Sequence, residues 1–123
     1  MDEMQRYKWE WDPNQTKNEW GPIAWRWLHL QCINFPLTPK PADRDNFLKK
    51  IWAFITQLPC LECRMHATKY LVNTPPDTSS RYTLDSWAFT FHNVVNARLH
   101  KKIFTRDDYD SFYAEDIRLA MRY

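Results

Sequence analysis

Glycine occurs once in the 123 residues, at Gly21. That excludes the glycine-rich phosphate loops of the Walker and dinucleotide types, which need several glycines at fixed offsets. It also argues against a hairpin-rich all-β fold. Neither sign of charge dominates: 17 Lys and Arg stand against 15 Asp and Glu, a formal +2. A dedicated nucleic-acid binder usually carries a strong basic excess, and none is present here. No apolar run approaches the roughly 20 residues that a membrane span requires. None follows Met1 either, so no signal peptide is read and the chain is expected to stay where it is made. Cysteine is scarce, at Cys32, Cys60 and Cys63. An odd count without a secretion signal argues against a structural disulfide framework.

What is present is apolar and aromatic. Hydrophobic residues make up 44% and charged residues 26%, which fits one folded domain rather than a disordered chain. Seven Trp and an aromatic share of 16% point to flat apolar surfaces fit for a planar ligand. Residues 1–19 are polar, with Trp9 and Trp11 isolated among charges, and read as an arm or docking segment ahead of a domain over 20–123. From Trp20 the pattern turns helical: Trp25, Leu28, Cys32 and Phe35 recur at three- and four-residue spacing until Pro36. A second helix fits Ala42 to Leu58, with Phe47, Ile51, Phe54, Ile55 and Leu58 inward, broken by Pro59. A third runs from about Cys60 toward Val72, stopped by Asn73 and Pro75-Pro76. A fourth covers Thr83 to Leu99, with Leu84, Trp87, Phe91 and Val95 inward. Thr105 can cap a short fifth carrying Tyr109, Phe112, Asp116 and Ala120, with Asp107 and Asp108 suiting its first turn. The expected class is all-α: a four-helix bundle plus a short fifth helix.

Three constellations carry chemistry. Cys60-Leu61-Glu62-Cys63 places two sulfurs on one side of a helix start. Unpaired N–H groups and the dipole there favour a thiolate, the attacking species in disulfide exchange. The bland alternative is two small buried side chains. His66 extends the motif and invites a zinc reading, with His29, Cys32, His92 or His100 as a fourth ligand. A structural zinc site usually pairs two short ligand clusters, however, and the second is missing. The second constellation is Trp87 with His92-Asn93-Val94-Val95-Asn96, where His92, Asn96 and Leu99 share a helix face. It serves either hydrogen bonding between helices or a polar-edged aromatic ligand. The third is Trp25 and His29, one turn apart. Arg98, Lys101 and Lys102 close the fourth helix, where they offset its dipole or neutralise a pyrophosphate.

Together these residues resemble the Erv/ALR sulfhydryl oxidases. The resemblance rests on Trp20-Gly21-Pro22-Ile23-Ala24-Trp25 with His29, on Pro59 through His66, and on Trp87 through Lys101, and so spans most of the chain. The length and the Lys101-Lys102-Ile103 tail look closest to the short forms of large cytoplasmic DNA viruses, such as that of African swine fever virus. The resemblance implies a four-helix bundle that holds FAD, and oxidation of protein dithiols with oxygen as acceptor and hydrogen peroxide as product. It implies Cys60 as the exposed interchange sulfur and Cys63 as the flavin-proximal one. FAD is expected against Gly21, Trp25, His29, His66, Trp87, His92, Asn93, Val95, Asn96, Leu99, Lys101 and Lys102, with no metal. Expected partners are a thiol-bearing protein or thioredoxin-like shuttle, molecular oxygen and a second copy of the chain, with neither nucleic acid nor membrane insertion. The dimer expectation is that Trp27, Leu30 and Trp52, off the inward stripes, form an apolar patch. The implied location is the cytoplasm, in a viral setting the host cytoplasm or virion. Alternatives are a non-catalytic helical adaptor or a small zinc module. The sequence departs from the family pattern at Pro22, Ala67 and His100, and it has no cysteine in residues 1–19 or after Cys63. Oxidising equivalents are therefore expected to leave directly from the Cys60–Cys63 pair.

Overall fold

The computed structural model describes residues 14–121, which form six helices and no strand. They are α1 (Lys17–Ile33), α2 (Pro41–Thr56), α3 (Leu61–Asn73), α4 (Arg81–Arg98), α5 (Arg106–Phe112) and α6 (Ala114–Ala120). Trp9 and Trp11, with the rest of 1–13, lie outside the described residues. Residues 17–19, read as the end of the arm, are already helical.

Each boundary has a local cause. Pro41 opens α2, where its missing N–H costs nothing, and the Lys40 N–H donates to Asp43 at 2.8 Å. Ser80 caps α4 by accepting from the Thr83 N–H, while the Ser80 N–H donates back to the Thr83 hydroxyl. Thr105 and Asp108 cap α5 in the same reciprocal way. Helix α4 ends in a Schellman turn: Lys101 N–H donates to Asn96 O at 2.8 Å and His100 N–H to Ala97 O at 3.2 Å. His100 holds a φ of 57°, the left-handed position where this turn favours glycine.

The core is built from stripes at helical spacing. Leu28 and Cys32 of α1, Ile51 and Ile55 of α2, Leu71 of α3 and Leu84 of α4 are buried together. Each fully buried aliphatic side chain contributes about 1.5–3 kcal/mol. Helix α1 packs along α4, α2 along α3, and α6 folds back on α1. The single fifth helix expected from the sequence is two, because the chain breaks at Tyr113 (φ −100°, ψ 15°). The i→i−4 hydrogen bonds run on through it, Tyr113 N–H to Tyr109 O at 3.1 Å and Ile117 N–H to Tyr113 O at 2.9 Å, so the helical phase is kept. Tyr113 is buried beside Tyr109, Phe112 is left 73% exposed, and Asp116 meets Arg26 at 3.3 Å.

Candidate active site

The Pro59–Leu61 turn delivers the dithiol. Arg64 of α3 donates to the Leu58 carbonyl, tying the start of this helix to the end of α2. Cys60 is the N-cap of α3, and its sulfur accepts from the Cys63 N–H at 3.2 Å, standing where Ser or Asp usually does. The two thiols are not equivalent. Burial raises the Cys60 thiol, but hydrogen bonds from the Cys63 thiol and N–H, the Lys17 charge and a backbone bond from Glu62 outweigh it, and the net shift is downward. Cys63 is pushed up to about 11, first by burial, then by its hydrogen bond to Cys60 and the negative charge there, against the pull of Lys17 and Arg98. The reduced pair therefore carries its first negative charge on Cys60.

Behind Cys63 opens a cavity of about 860 Å³, within the size range of small-molecule sites. Cys63 is on its wall and Cys60 is not. The wall is mostly apolar and aromatic. The Trp25 indole lies flat on the His92 ring, with centroids 3.9 Å apart and planes 9° apart. Tyr70 stacks on Phe91 at 4.7 Å. Lys17, Arg98, Lys101 and Lys102 bring positive charge to the wall. Asn96 is buried yet lines the cavity; its amide N–H reaches only Asn93, at 3.4 Å, and among the described residues its Oδ1 accepts no hydrogen bond. A buried acceptor left open on a cavity wall marks where a ligand donor fits.

Of the residues expected at the cofactor, Gly21, Trp25, His66, His92, Val95, Asn96, Leu99, Lys101 and Lys102 line this cavity. His29, Trp87 and Asn93 are not on its wall. Trp87 points into the core and donates its indole N–H to the Thr74 carbonyl at 2.8 Å, holding the end of α3. Asn93 clamps the segment after α4, exchanging two hydrogen bonds of 2.9 Å with the backbone of Phe104. His29 is fully buried behind His92, its Nε2 2.9 Å from His92 Nδ1. Its Nδ1 lies 3.1 Å from the Tyr109 hydroxyl, which donates to Asp85 at 2.7 Å; Asp85 in turn pairs with Arg106. Burial, then the neighbouring His92 and Arg106, lower the His29 pKa to about 3. Burial and Lys101 lower that of His92 to about 4. Tyr109, Asp85 and Arg106 were not singled out as site residues from the sequence. Among the described residues, no three His, Cys, Asp or Glu side chains converge as metal ligands.

Gly21 sits in α1 where an added Cβ would meet nothing within 4 Å. In the protein without ligand, Gly21→Ala is therefore expected to stabilise the helix by up to about 1 kcal/mol. If a ligand packs against that open spot, the same change weakens its binding. Melting temperature measured with and without ligand should then move in opposite directions.

A helical bundle with a Cys-x-x-Cys pair at the mouth of an aromatic cavity defines a redox-active dithiol protein that holds a planar group. The Erv1 / Alr family model matches residues 22–115, and the chain belongs to that family. The FAD-linked sulfhydryl oxidase of African swine fever virus is 39% identical over 104 residues, spanning 85% of this chain and 87% of that protein. The FAD-linked sulfhydryl oxidase ERV2 of Saccharomyces cerevisiae is 33% identical over 79% of this chain and 52% of its own length. The yeast Erv1 core, a solved structure, superposes with a TM-score of 0.76 at 25% identity, covering 88% of this chain and 91% of that one.

Proposed function

We propose that the chain is an FAD-linked sulfhydryl oxidase, forming disulfides in protein substrates. The observation that carries this is the division of the dithiol: Cys63 is on the wall of an aromatic cavity, and Cys60 is outside it. The cavity fits FAD on its own chemistry. Trp25, Tyr70, Phe91 and His92 offer flat surfaces, Lys101, Lys102 and Arg98 suit a diphosphate, and Asn96 Oδ1 awaits a donor. FAD would be held by Gly21, Trp25, His66, His92, Val95, Asn96, Leu99, Lys101 and Lys102. His29 and Asn93 support that wall from behind, and Trp87 supports it through α3. When bound, FAD supplies the two-electron chemistry that links dithiol oxidation to reduction of oxygen to hydrogen peroxide.

The chain's own residues do the rest. A substrate thiolate attacks Cys60 Sγ of the oxidised pair. A substrate–Cys60 bond forms, the Cys60–Cys63 bond breaks, and Cys63 leaves as the thiolate beside Lys17 and Arg98. While Cys60 is bound to substrate, two of the three influences that raise Cys63 are gone, its hydrogen bond and the negative charge on Cys60. The cations then act on Cys63 against burial alone. The second substrate thiol resolves the mixed disulfide, giving the substrate disulfide and freeing Cys60 as a thiolate. Exposed Leu61 and Met65, one turn apart beside Cys60, offer the substrate an apolar approach.

The partners are a thiol-bearing protein or thioredoxin-like shuttle and molecular oxygen. No described helix is long and apolar enough to cross a membrane. The viral relatives make the host cytoplasm or the virion the proposed setting. The deciding experiment is the visible spectrum of the purified protein, with and without dithiothreitol. A yellow protein, bleached by dithiothreitol without air and restored by air, is expected. A colourless protein that takes up no added FAD overturns the reading.

A homodimer belongs to the same proposal. Trp27 is half-buried, stacked on Phe54 at 4.2 Å, and Leu30 and Trp52 are half-buried too. Ile23, 54% exposed, continues the Trp27–Leu30 stripe along α1. Ile23, Leu30 and Trp52 offer a face for a symmetric partner. Sedimentation equilibrium at low micromolar concentration should give twice the chain mass, and a clean monomer with full flavin would reject the dimer.

A further inference from the structure

The hydrogen-bonded chain behind the cavity has only one consistent direction. Arg106 can only donate, and its guanidinium holds Asp85 Oδ2, so that residue is a carboxylate and its other oxygen can only accept. The Tyr109 hydroxyl, 2.7 Å from Asp85 Oδ1, must therefore spend its one proton there. Its oxygen can then only accept from His29 Nδ1, at 3.1 Å. His29 is fully buried and held neutral, so with its proton on Nδ1 its Nε2 is bare. That bare nitrogen, 2.9 Å from His92 Nδ1, requires a proton on His92 Nδ1. His92, also neutral, is left with a bare Nε2 on a ring that lines the cavity and finds no other hydrogen-bond partner among the described residues. The tautomer of a histidine is set by the bond its other nitrogen makes, and here four side chains in series set it.

We propose that Asp85 and Tyr109 are positioning residues. Acting through His29, they fix His92 as the Nδ1–H tautomer, so that the cavity wall offers the cofactor a hydrogen-bond acceptor and not a donor. The group that His92 binds is then a donor: an amine, an imide N–H or a hydroxyl. The inference rests on the cavity holding FAD, but the chain of tautomers stands on the protein alone. A partner that orients a ligand through another side chain tunes it as carboxylates tune metal-bound histidines.

Asp85→Asn tests this with almost no change of shape. Arg106 claims the carboxamide oxygen, so the amide NH₂ faces Tyr109. Every bond in the series then reverses: Tyr109 donates to His29 Nδ1, His29 Nε2–H donates to His92 Nδ1, and the proton of His92 moves to Nε2. The wall now offers a donor where an acceptor stood. Long-range ¹H–¹⁵N spectra of the labelled holoenzyme should show a protonated Nδ1 and bare Nε2 for both His29 and His92 in the wild type. In Asp85→Asn the pattern should be inverted at both. FAD should bind roughly tenfold more weakly in the variant, the equivalent of one lost hydrogen bond. The rate of Cys60 alkylation should not change, since neither cysteine of the pair belongs to the chain of bonds.

If Asp85→Asn does not fold, Tyr109→Phe carries the test. It removes the acceptor of His29, and the uniform Nδ1–H pattern should be lost. A wild-type His92 with its proton on Nε2 overturns the proposal, and so does a variant that keeps the wild-type pattern at both histidines. A purely structural role for Asp85 would lower the melting temperature and leave the tautomers alone. A protein that binds no flavin, with the tautomers as derived, would reject the oxidase reading and the cofactor-facing half of this one, while the chain of bonds would stand.

Discussion

Replacing Cys63 with Ser leaves a yellow protein that no longer oxidises dithiols. The hydroxyl cannot form the enzyme disulfide, so there is no bond for the substrate thiolate to break. Cys60→Ser fails at the same step, because the atom attacked is missing. Residues that act as one unit lose nearly everything when either is removed, so a fall of roughly 10³-fold or more in turnover is expected for each. Flavin retention should survive in both, because Cys60 is off the cavity wall and Cys63 is one small group among many that line it. Cys32 is the control. It is fully buried in the core, and burial and the nearby Asp85 push its thiol well up, away from any reactive form. Cys32→Ser should keep most turnover while losing about 1–3 kcal/mol if its hydroxyl finds no partner.

The pH dependence of alkylation separates the two sulfurs. In the reduced wild type, Cys60 should react with a midpoint below the ordinary 9.0, and Cys63 with one near 11. In Cys60→Ser no thiolate faces Cys63, and its midpoint should drop below 11. In Cys63→Ala the lost thiol donor should let the midpoint of Cys60 rise. Unchanged midpoints in the single variants would remove the coupling between the pair. Full turnover in Cys63→Ser would remove its assigned role altogether.

The helices were legible because their stripes repeat at helical spacing and their ends carry proline or a capping residue. Phe47, Ile51, Phe54, Ile55 and Leu58 were read as inward, and all are buried. The Cys-x-x-Cys pair was legible because both sulfurs belong to one helix start. Periodicity gives a face, however, and not which buried edge meets a cavity and which meets the core. Trp87 and Trp25 both read as ligand surfaces, yet only Trp25 is on the wall. The chain Asp85–Tyr109–His29–His92 could not be read at all, since His29 and Tyr109 are eighty residues apart. Only the packing of α5 against α1 and α4 brings them together. The break at Tyr113 was missed for a similar reason. Tyr109, Tyr113 and Ala120 are buried at helical spacing across it, so the periodicity of the sequence runs on without marking a break.

His92→Ala should lower flavin retention and melting temperature together, and should flatten the response of stability to acid. Three losses add. The indole of Trp25 loses the ring stacked on it at 3.9 Å. His29 Nε2, fully buried, loses the donor it has among the described residues, at a cost of about 1–3 kcal/mol. Flavin that binds the folded state less tightly also stabilises it less. The acid response follows from the two depressed histidines. Both would take up a proton near the ordinary 6.5 in the unfolded chain, but only near 3 and 4 in the folded one. Below 6.5 the unfolded state therefore binds more protons, and stability falls with pH. The contribution is complete above about pH 6.5 and drains away as pH drops toward 3. His92→Ala removes one of the two groups and the push of His92 on His29. Its melting temperature should thus start lower at pH 7 and fall less steeply toward pH 5 than that of the wild type. Equal melting temperatures at pH 7, or parallel slopes in acid with full flavin, would show that His92 holds neither the cofactor nor the buried chain behind it.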